Sequence, residues 1–339
     1  MKIPKLVKLI IQIPCFNEAE SLPITFAELP ASIAGIDIIE TLVIDDGSTD
    51  GTQRVAEQLG VDHILRLPKN LGLARAFSAG IDASLARGAD IIVNTDADNQ
   101  YHAGDIEKLV KPVLEGAAEM VVGARPISDI AHFSATKKLL QKFGSWVVRR
   151  VSGTDIPDAP SGFRALSRNA ALNIRVFSEH TYTLETLIQA GRKGIPVTWV
   201  PVRVNKDLRP SRLVKNNMSY VLRSVIVIIR IFLLYQPLRF FLFLGAVPFS
   251  AGFLLGVRWM LNIFVFPEPG RTFLPSLILA AVLLLMGFQT WVLAFVADLM
   301  AANRSLLEEN RVAQRRSELS GQDKPECALE ENVESLSER

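Results

Sequence analysis

From Thr272 to Ala297 the chain carries no charged residue. A helix needs roughly 20 apolar residues to cross a bilayer, and this segment exceeds that. Phe240–Val257 is a second such stretch, with Arg258 placed to snorkel at its end. Phe266-Pro267-Glu268-Pro269-Gly270 supplies the turn between them. Two crossings (residues 239–299) return the chain to the side it left. Arg203, Lys206, Arg209, Arg212, Lys215, Arg223, Arg230 and Arg239 precede the first crossing, and such a basic flank marks the cytoplasmic side. Arg223 and Arg230 stand a heptad apart and share one face of a helix. Residues 213–238 therefore read as an amphipathic helix lying in the membrane interface. Were Ser224–Tyr235 to cross as well, the two ends of the chain would lie on opposite faces.

The remaining residues have a different character. At 339 residues the chain has room for a separate soluble domain, and residues 1–212 have the mixed composition of one. A net charge of +2 gives no general case for nucleic acid as a partner. Cys15 and Cys327 lie in unlike contexts, form no metal spacing and predict no disulfide. The apolar stretch that ends at Pro14 is too short for a signal peptide and reads as a first strand. The tail, residues 300–339, is polar, with clustered Glu and Arg, and is expected to be disordered in the cytoplasm.

Short apolar runs alternate with helical patterns through the first half. Strands are predicted at Leu9–Ile13, Ile38–Ile44, His63–Leu67, Ile91–Thr95, Met120–Gly123 and Gly194–Val204. Helices are predicted at about Glu18–Leu29, Thr49–Leu59, Gly72–Arg87, Asp105–Glu115 and Phe133–Val151. This alternation predicts an α/β fold, a mostly parallel sheet with helices on both faces. Functional loops then gather at the carboxyl ends of the strands.

Each chemically suggestive motif follows a strand. Asp96-Ala97-Asp98-Asn99-Gln100 ends the run Ile91–Thr95; alternate residues of an extended chain point one way, so Asp96, Asp98 and Gln100 could offer oxygens to one side. Oxygen donors suit Mg²⁺ or Mn²⁺ shared with a diphosphate, although the same pattern also occurs on solvated turns. Pro14-Cys15-Phe16-Asn17-Glu18 could seat a nucleobase and ribose, or could simply start a helix with Asn17 as its cap. In Asp45-Asp46-Gly47-Ser48-Thr49-Asp50-Gly51-Thr52, capping accounts for Ser48 and Asp50 but not for the paired Asp45 and Asp46. Asn70-Leu71-Gly72 opens a small-residue helix that either approaches a nucleotide or packs on the sheet. Asp158-Ala159-Pro160-Ser161-Gly162-Phe163-Arg164 joins an acid, a hydroxyl, a flexible backbone and a cation. Glu185 falls in a further helical stretch. Arg209-Pro210-Ser211-Arg212 could meet a substrate phosphate or lipid headgroups.

In this order the motifs resemble glycosyltransferase family 2, with its GT-A nucleotide-sugar fold, over roughly residues 8–212. The narrower likeness is to the dolichol- or polyprenyl-phosphate sugar synthases with a two-span anchor. Gly123-Ala124-Arg125 stands where Gly-Ser-Arg is common, and the Arg209–Arg212 stretch is shorter than usual. The resemblance implies that Pro14, Asn17, Glu18, Asp45, Asp46 and Asp96 hold the nucleotide-sugar. It implies that Asp96, Asp98 and Gln100 hold Mg²⁺ or Mn²⁺. Arg125, Ser161, Arg164, Arg209 and Arg212 would face an acceptor phosphate. Asp158, Arg125 and Arg209 would be catalytic, with Asp158 as base or acceptor-orienting carboxylate.

The implied reaction is an inverting transfer from a nucleotide-diphosphate sugar to a polyprenyl (dolichyl or undecaprenyl) phosphate at the cytoplasmic face of the membrane, the inner membrane in a bacterium. Homo-oligomers are compatible with this. One alternative is a family 2 enzyme with a hydroxyl acceptor, making a glycolipid or polysaccharide; Gln236-Pro237-Leu238-Arg239-Phe240 mimics a processive-synthase spacing but ends in Phe. Another is a non-catalytic membrane sensor of nucleotide-sugars. A dehydrogenase would need a glycine-rich loop where Pro14–Glu18 stands.

Overall fold

The computed structural model of the chain describes residues 6–126, 146, 149–150, 152–176, 182–205, 230, 233, 236–265 and 273–322. Arg209, Arg212, most of the expected interface helix, most of the helix expected over Phe133–Val151 and the 266–270 turn lie outside these residues. Two compact units are present: Met1–Ser224 with Arg311–Arg339, and Val225–Asn310.

Among the described residues of the first unit, seven strands form one sheet: β1 (Lys8–Cys15), β2 (Ile38–Asp45), β3 (His63–Arg66), β4 (Ile91–Asn94), β5 (Met120–Ala124), β6 (Arg164–Ser167) and β7 (Val197–Pro201). Their order is β3-β2-β1-β4-β6-β5-β7. β1, β2, β3 and β4 run parallel, as do β5 and β7, while β6 lies antiparallel between β4 and β5. The mostly parallel sheet expected from the alternation is present, and β6 is an addition to it. Helices α1 (Leu22–Ala27), α2 (Thr52–Gln58), α3 (Leu73–Ala86), α4 (Ile106–Leu114), α5 (Arg168–Asn173) and α6 (Tyr182–Arg192) cover the sheet.

Both faces of the sheet are covered, which is why its strands read as near-continuous apolar runs. Leu9, Ile11 and Ile13 of β1 join Val43, Ile91, Val93 and Val121 in one core that α1 closes with Leu22, α2 with Ala56 and α4 with Leu109 and Val110. The opposite face meets α3. There Gly80 lies so close to the sheet that a Cβ would sit 2.5 Å from Gln12 Oε1 and 2.8 Å from Ile44 Cδ1. Each buried aliphatic side chain contributes roughly 1.5–3 kcal/mol relative to exposure, an upper figure since unfolded chains are already compact.

The second unit holds α7 (Pro237–Phe264) and most of α8 (Leu274–Gln322). Both are long and apolar enough to cross a membrane. Their apolar side chains face outward rather than into a core, Phe243 being 78% and Phe264 77% exposed. The two helices pack antiparallel through glycines: a Cβ on Gly245 would lie 2.9 Å from Gly287 O, and one on Gly252 would lie 2.9 Å from Ala280 O. Close backbone approach of this kind holds helices together where burial from water does not. Trp291 Nε1 donates to Leu242 O at 3.1 Å, which satisfies the indole N–H across the pair. α8 continues to Gln322, so residues 300–322 are helical where a disordered tail was expected.

Candidate active site

The first two motifs form one construction. The turn after β1 is stitched to the loop after β2 by side-chain bonds to backbone: Asn17 N to Ser48 Oγ at 3.0 Å, Glu18 N to Thr52 Oγ1 at 2.9 Å and Ala19 N to Asp50 Oδ2 at 3.0 Å. In return Asn17 Oδ1 accepts from Thr49 N at 2.9 Å. Asn17 has φ 55, a left-handed conformation that Asn tolerates better than most residues. Ser48 thus serves the neighbouring turn instead of capping α2, and Asp50 reaches both that turn and Thr52 N, at 3.0 Å. Against the cost of burial, these hydrogen bonds hold the Asp50 carboxyl below its usual range.

The paired aspartates divide their work. Asp46 accepts Leu71 N and Gly72 N, each at 2.8 Å, and so fixes the third motif. Its carboxylate is committed to the loop rather than presented to a ligand. Asp45 is fully buried; Oδ1 accepts Ser48 N at 2.8 Å, while Oδ2 has no hydrogen-bond partner among the described residues and lies 3.6 Å from Arg66 Nε. Gly47, with φ 71, fits under this loop because a Cβ would lie 2.5 Å from the Lys69 carbonyl carbon. Pro14 is buried in β1 opposite Ile44. Glu18 is half-buried and accepts from Ser21 Oγ.

β4 ends at Asn94, so Asp96, Asp98 and Gln100 occupy a turn and not the strand extension inferred from the sequence. The alternation survives: Asp96, Asp98 and Gln100 are partly exposed, whereas Ala97 and Asn99 are buried. Asn99, at φ 56, makes the bend, and Asp98 Oδ1 accepts Gln100 N at 3.2 Å. Thr25 Oγ1 donates to Ala97 O at 2.9 Å, and Asn99 Nδ2 to Glu28 Oε1 at 3.2 Å, so α1 braces the turn from behind. Burial first, then the Asp98 charge, raises the Asp96 pKa to about 7. Two oxygen donors pushed against each other at low solvation fit a hard cation, which would relieve both effects. Among the described residues, no cluster of three His, Cys, Asp or Glu side chains forms a metal site. Two carboxylates and a carboxamide on this turn would leave coordination positions for phosphate oxygens.

On the other side, Arg125 grips Asp158 with a fork: Nε to Oδ2 at 2.7 Å and Nη2 to Oδ1 at 3.1 Å, with its backbone N also 3.2 Å from Oδ2. Asp158 is 0% and Arg125 14% exposed. Both carboxylate oxygens are occupied by the guanidinium, so the expected base role does not fit the geometry of Asp158. It orients Arg125 instead. Arg164 is fully buried; it donates to Ser161 O, Ala159 O, Thr183 O and Thr186 Oγ1. Those bonds fasten the 158–164 loop to α6 and remove Arg164 from the set of phosphate ligands. Burial lowers its pKa to about 10. Ser161 is likewise buried, with Oγ 3.5 Å from Tyr101 Oη.

The chain returns from β7 to the metal turn. Asn205 N donates to Gln100 O at 2.9 Å, and Asp105 holds Arg203 through Nη2 at 2.8 Å and backbone N at 2.7 Å. The structure thus gathers Glu18, Asp96, Asp98, Gln100 and Arg125, with the first two loops beside them.

Sequence reasoning overlooked the buried polar path beneath them. Gln12 Nε2 donates to Asn94 Oδ1 at 2.9 Å, and Asn94 Nδ2 to Gly162 O at 2.9 Å and Tyr182 Oη at 3.1 Å. Its signal was present: Gln12 and Asn94 are the polar residues inside otherwise apolar runs.

Comparison with known proteins bears on the family and the fold. A family model described as Glycosyl transferase family 2 matches residues 10–175. Undecaprenyl-phosphate mannosyltransferase of Micrococcus luteus is 30% identical over 213 residues, which cover 59% of this chain and 85% of that protein. Polyprenol monophosphomannose synthase of Mycolicibacterium smegmatis is 27% identical over 225 residues, 63% of this chain and 83% of that protein. Glucosyl-3-phosphoglycerate synthase from Mycobacterium tuberculosis, solved with phosphoglyceric acid, shares the fold with a TM-score of 0.51 and 19% identity, over 66% of this chain and 80% of that one.

Proposed function

The chain belongs to glycosyltransferase family 2, and from that premise we propose that it transfers a sugar from a nucleotide-diphosphate sugar to a polyprenyl phosphate, with inversion at the anomeric carbon. The observation that carries this reading is the placement of Asp96, Asp98 and Gln100 on the open side of one turn, within electrostatic reach of Arg125. The names of the relatives supply the acceptor class, a polyprenyl phosphate.

Asp45 closes the floor of the cradle for the donor's base, and the stitched loops at Asn17 and Asp50 hold that cradle rigid. Asp96, Asp98 and Gln100 would hold Mg²⁺ or Mn²⁺, which would offset the charge on the leaving nucleoside diphosphate. Arg125, oriented by Asp158, draws the acceptor phosphate toward the anomeric carbon, assisted by Arg209 and Arg212. Bringing the two reactants into line is the main contribution of such a site. A phosphate monoester has its second pKa near 6, so its oxygen is already anionic at neutral pH and no general base is needed. α7 and α8 embed the protein in the membrane, and the basic flank keeps the catalytic half and α8's end cytoplasmic.

The test uses the full-length protein in membranes, a panel of UDP- and GDP-sugars, Mg²⁺ or Mn²⁺, and undecaprenyl phosphate. A metal-dependent, acid-labile lipid-phosphate sugar is expected. Product formed only with undecaprenol would replace this reading with a hydroxyl acceptor.

A further inference from the structure

Between the metal turn and the Asp158–Arg164 loop stands a side chain outside every motif, Tyr101. It follows Gln100 directly and is 4% exposed. Its hydroxyl accepts the Gly162 N–H at 3.2 Å. Its ring stacks on Phe163 with centroids 4.9 Å apart, and the Arg125 guanidinium carbon lies 5.9 Å from the ring centroid. Its backbone forms a bridge with Val204, just before the arm that carries Arg209 and Arg212. Gly162, in turn, is where Asp96 rests: a Cβ there would lie 3.2 Å from both carboxylate oxygens.

A purely space-filling aromatic needs no hydroxyl. This one is spent on the amide that sets the floor under Asp96, while the ring face meets Arg125. We propose that Tyr101 is a positioning residue that sets the spacing between Asp96 on the donor side and Arg125 on the acceptor side. The inference rests on the transferase reading and assigns within it how the two substrates are kept in register. Its two halves are separable. The hydroxyl acts through Gly162 on Asp96, and the ring acts on Arg125 by a cation–π contact.

Tyr101→Phe keeps the ring and leaves the Gly162 amide unpaired. Its kcat is expected to fall about tenfold, as for one lost buried hydrogen bond, with acceptor KM within about twofold of wild type. Tyr101→Leu also removes the ring face, and acceptor KM is expected to rise about tenfold while donor KM holds. The assay uses the full-length protein in detergent micelles with undecaprenyl phosphate and the sugar nucleotide from the panel that wild type turns over. Two further arms need no turnover: calorimetric titration of Mn²⁺ in the presence of inorganic diphosphate, expected to weaken in Tyr101→Phe, and of inorganic phosphate, expected to weaken only in Tyr101→Leu. If wild type turns over no donor, the transferase reading fails and these arms alone decide the role of Tyr101. Equal loss of kcat in both variants, with every KM and both titrations unchanged, means a merely structural tyrosine and overturns the proposal. So does wild-type behaviour in both. If Tyr101→Leu does not fold, Tyr101→Phe decides.

Discussion

The proposed donor and acceptor sides of the site are built by different means. On the donor side, neutral and acidic side chains bind backbone amides of the next loop, as Asn17, Ser48, Asp50 and Thr52 do, and the proposed metal carboxylates, Asp96 and Asp98, stay partly exposed. On the acceptor side, the charges themselves are the scaffold: Arg164 is fully buried among carbonyls, and Asp158 is fully buried under Arg125. A donor-side ligand can therefore be removed without unfolding the site. An acceptor-side cation cannot, because its removal strands a partner in low dielectric.

The strongest test of that contrast is Arg125→Ala. It leaves Asp158 buried without its cation, and a loss of about 3–5 kcal/mol is expected in chemical denaturation of the full-length protein, together with a raised acceptor KM. Stability equal to wild type would break the comparison. Asp98→Ala should do the reverse, lowering kcat by about 10²–10³ with an unchanged melting temperature. Metal-dependent product at full rate would remove Asp98 from the metal site. Gly47→Ala comes next: with φ 71 and backbone atoms of Lys69 and Asn70 within 2.7 Å of the new Cβ, about 1–3 kcal/mol of stability should go, with a higher donor KM.

The smallest effect is a pH dependence at the root of the acceptor arm. Burial alone would raise the Asp105 pKa, but hydrogen bonds from Arg203 and Lys108 bring it down to about 2. An unfolded Asp titrates near 3.9, so the folded state gains stability that is complete above about pH 4 and vanishes as pH falls through the folded value. Both cations are more than half exposed, so about 1 kcal/mol is expected rather than the full shift. Asp105→Asn should flatten this part of the stability–pH curve; an unchanged slope would show that the pair does not hold the arm.

The contrast also explains what could be read in advance. Apolar runs bounded by turn residues revealed β1 to β5 and β7, because strands covered on both faces have to be apolar. β6 was hidden because it begins at Arg164, whose burial depends on carbonyls brought in from Ala159, Ser161 and Thr183. The order of motifs singled out the Asp96–Gln100 turn and Arg125, but residue type alone could not separate proposed ligands from braces. Asp46 and Asp45 are neighbours with the same chemistry; one is committed to Leu71 and Gly72, and the other is held by Ser48 N and the Arg66 charge. Only the path of the 69–72 loop distinguishes them. The helical continuation of α8 to Gln322 was obscured because clustered Glu and Arg fit a solvated helix as well as a disordered tail.

Gly162 has no functional group, yet it is enclosed by Asp96, Tyr182 and the hydrogen bond its N–H donates to Tyr101 Oη. A library aimed at a new sugar or lipid preference will find that position immutable. Phe16 and Leu71, which are 41% and 37% exposed beside the donor loops, have the steric freedom to vary. Diversity in this protein should therefore accumulate around the rim of the site, while the glycine at its centre stays fixed for want of space.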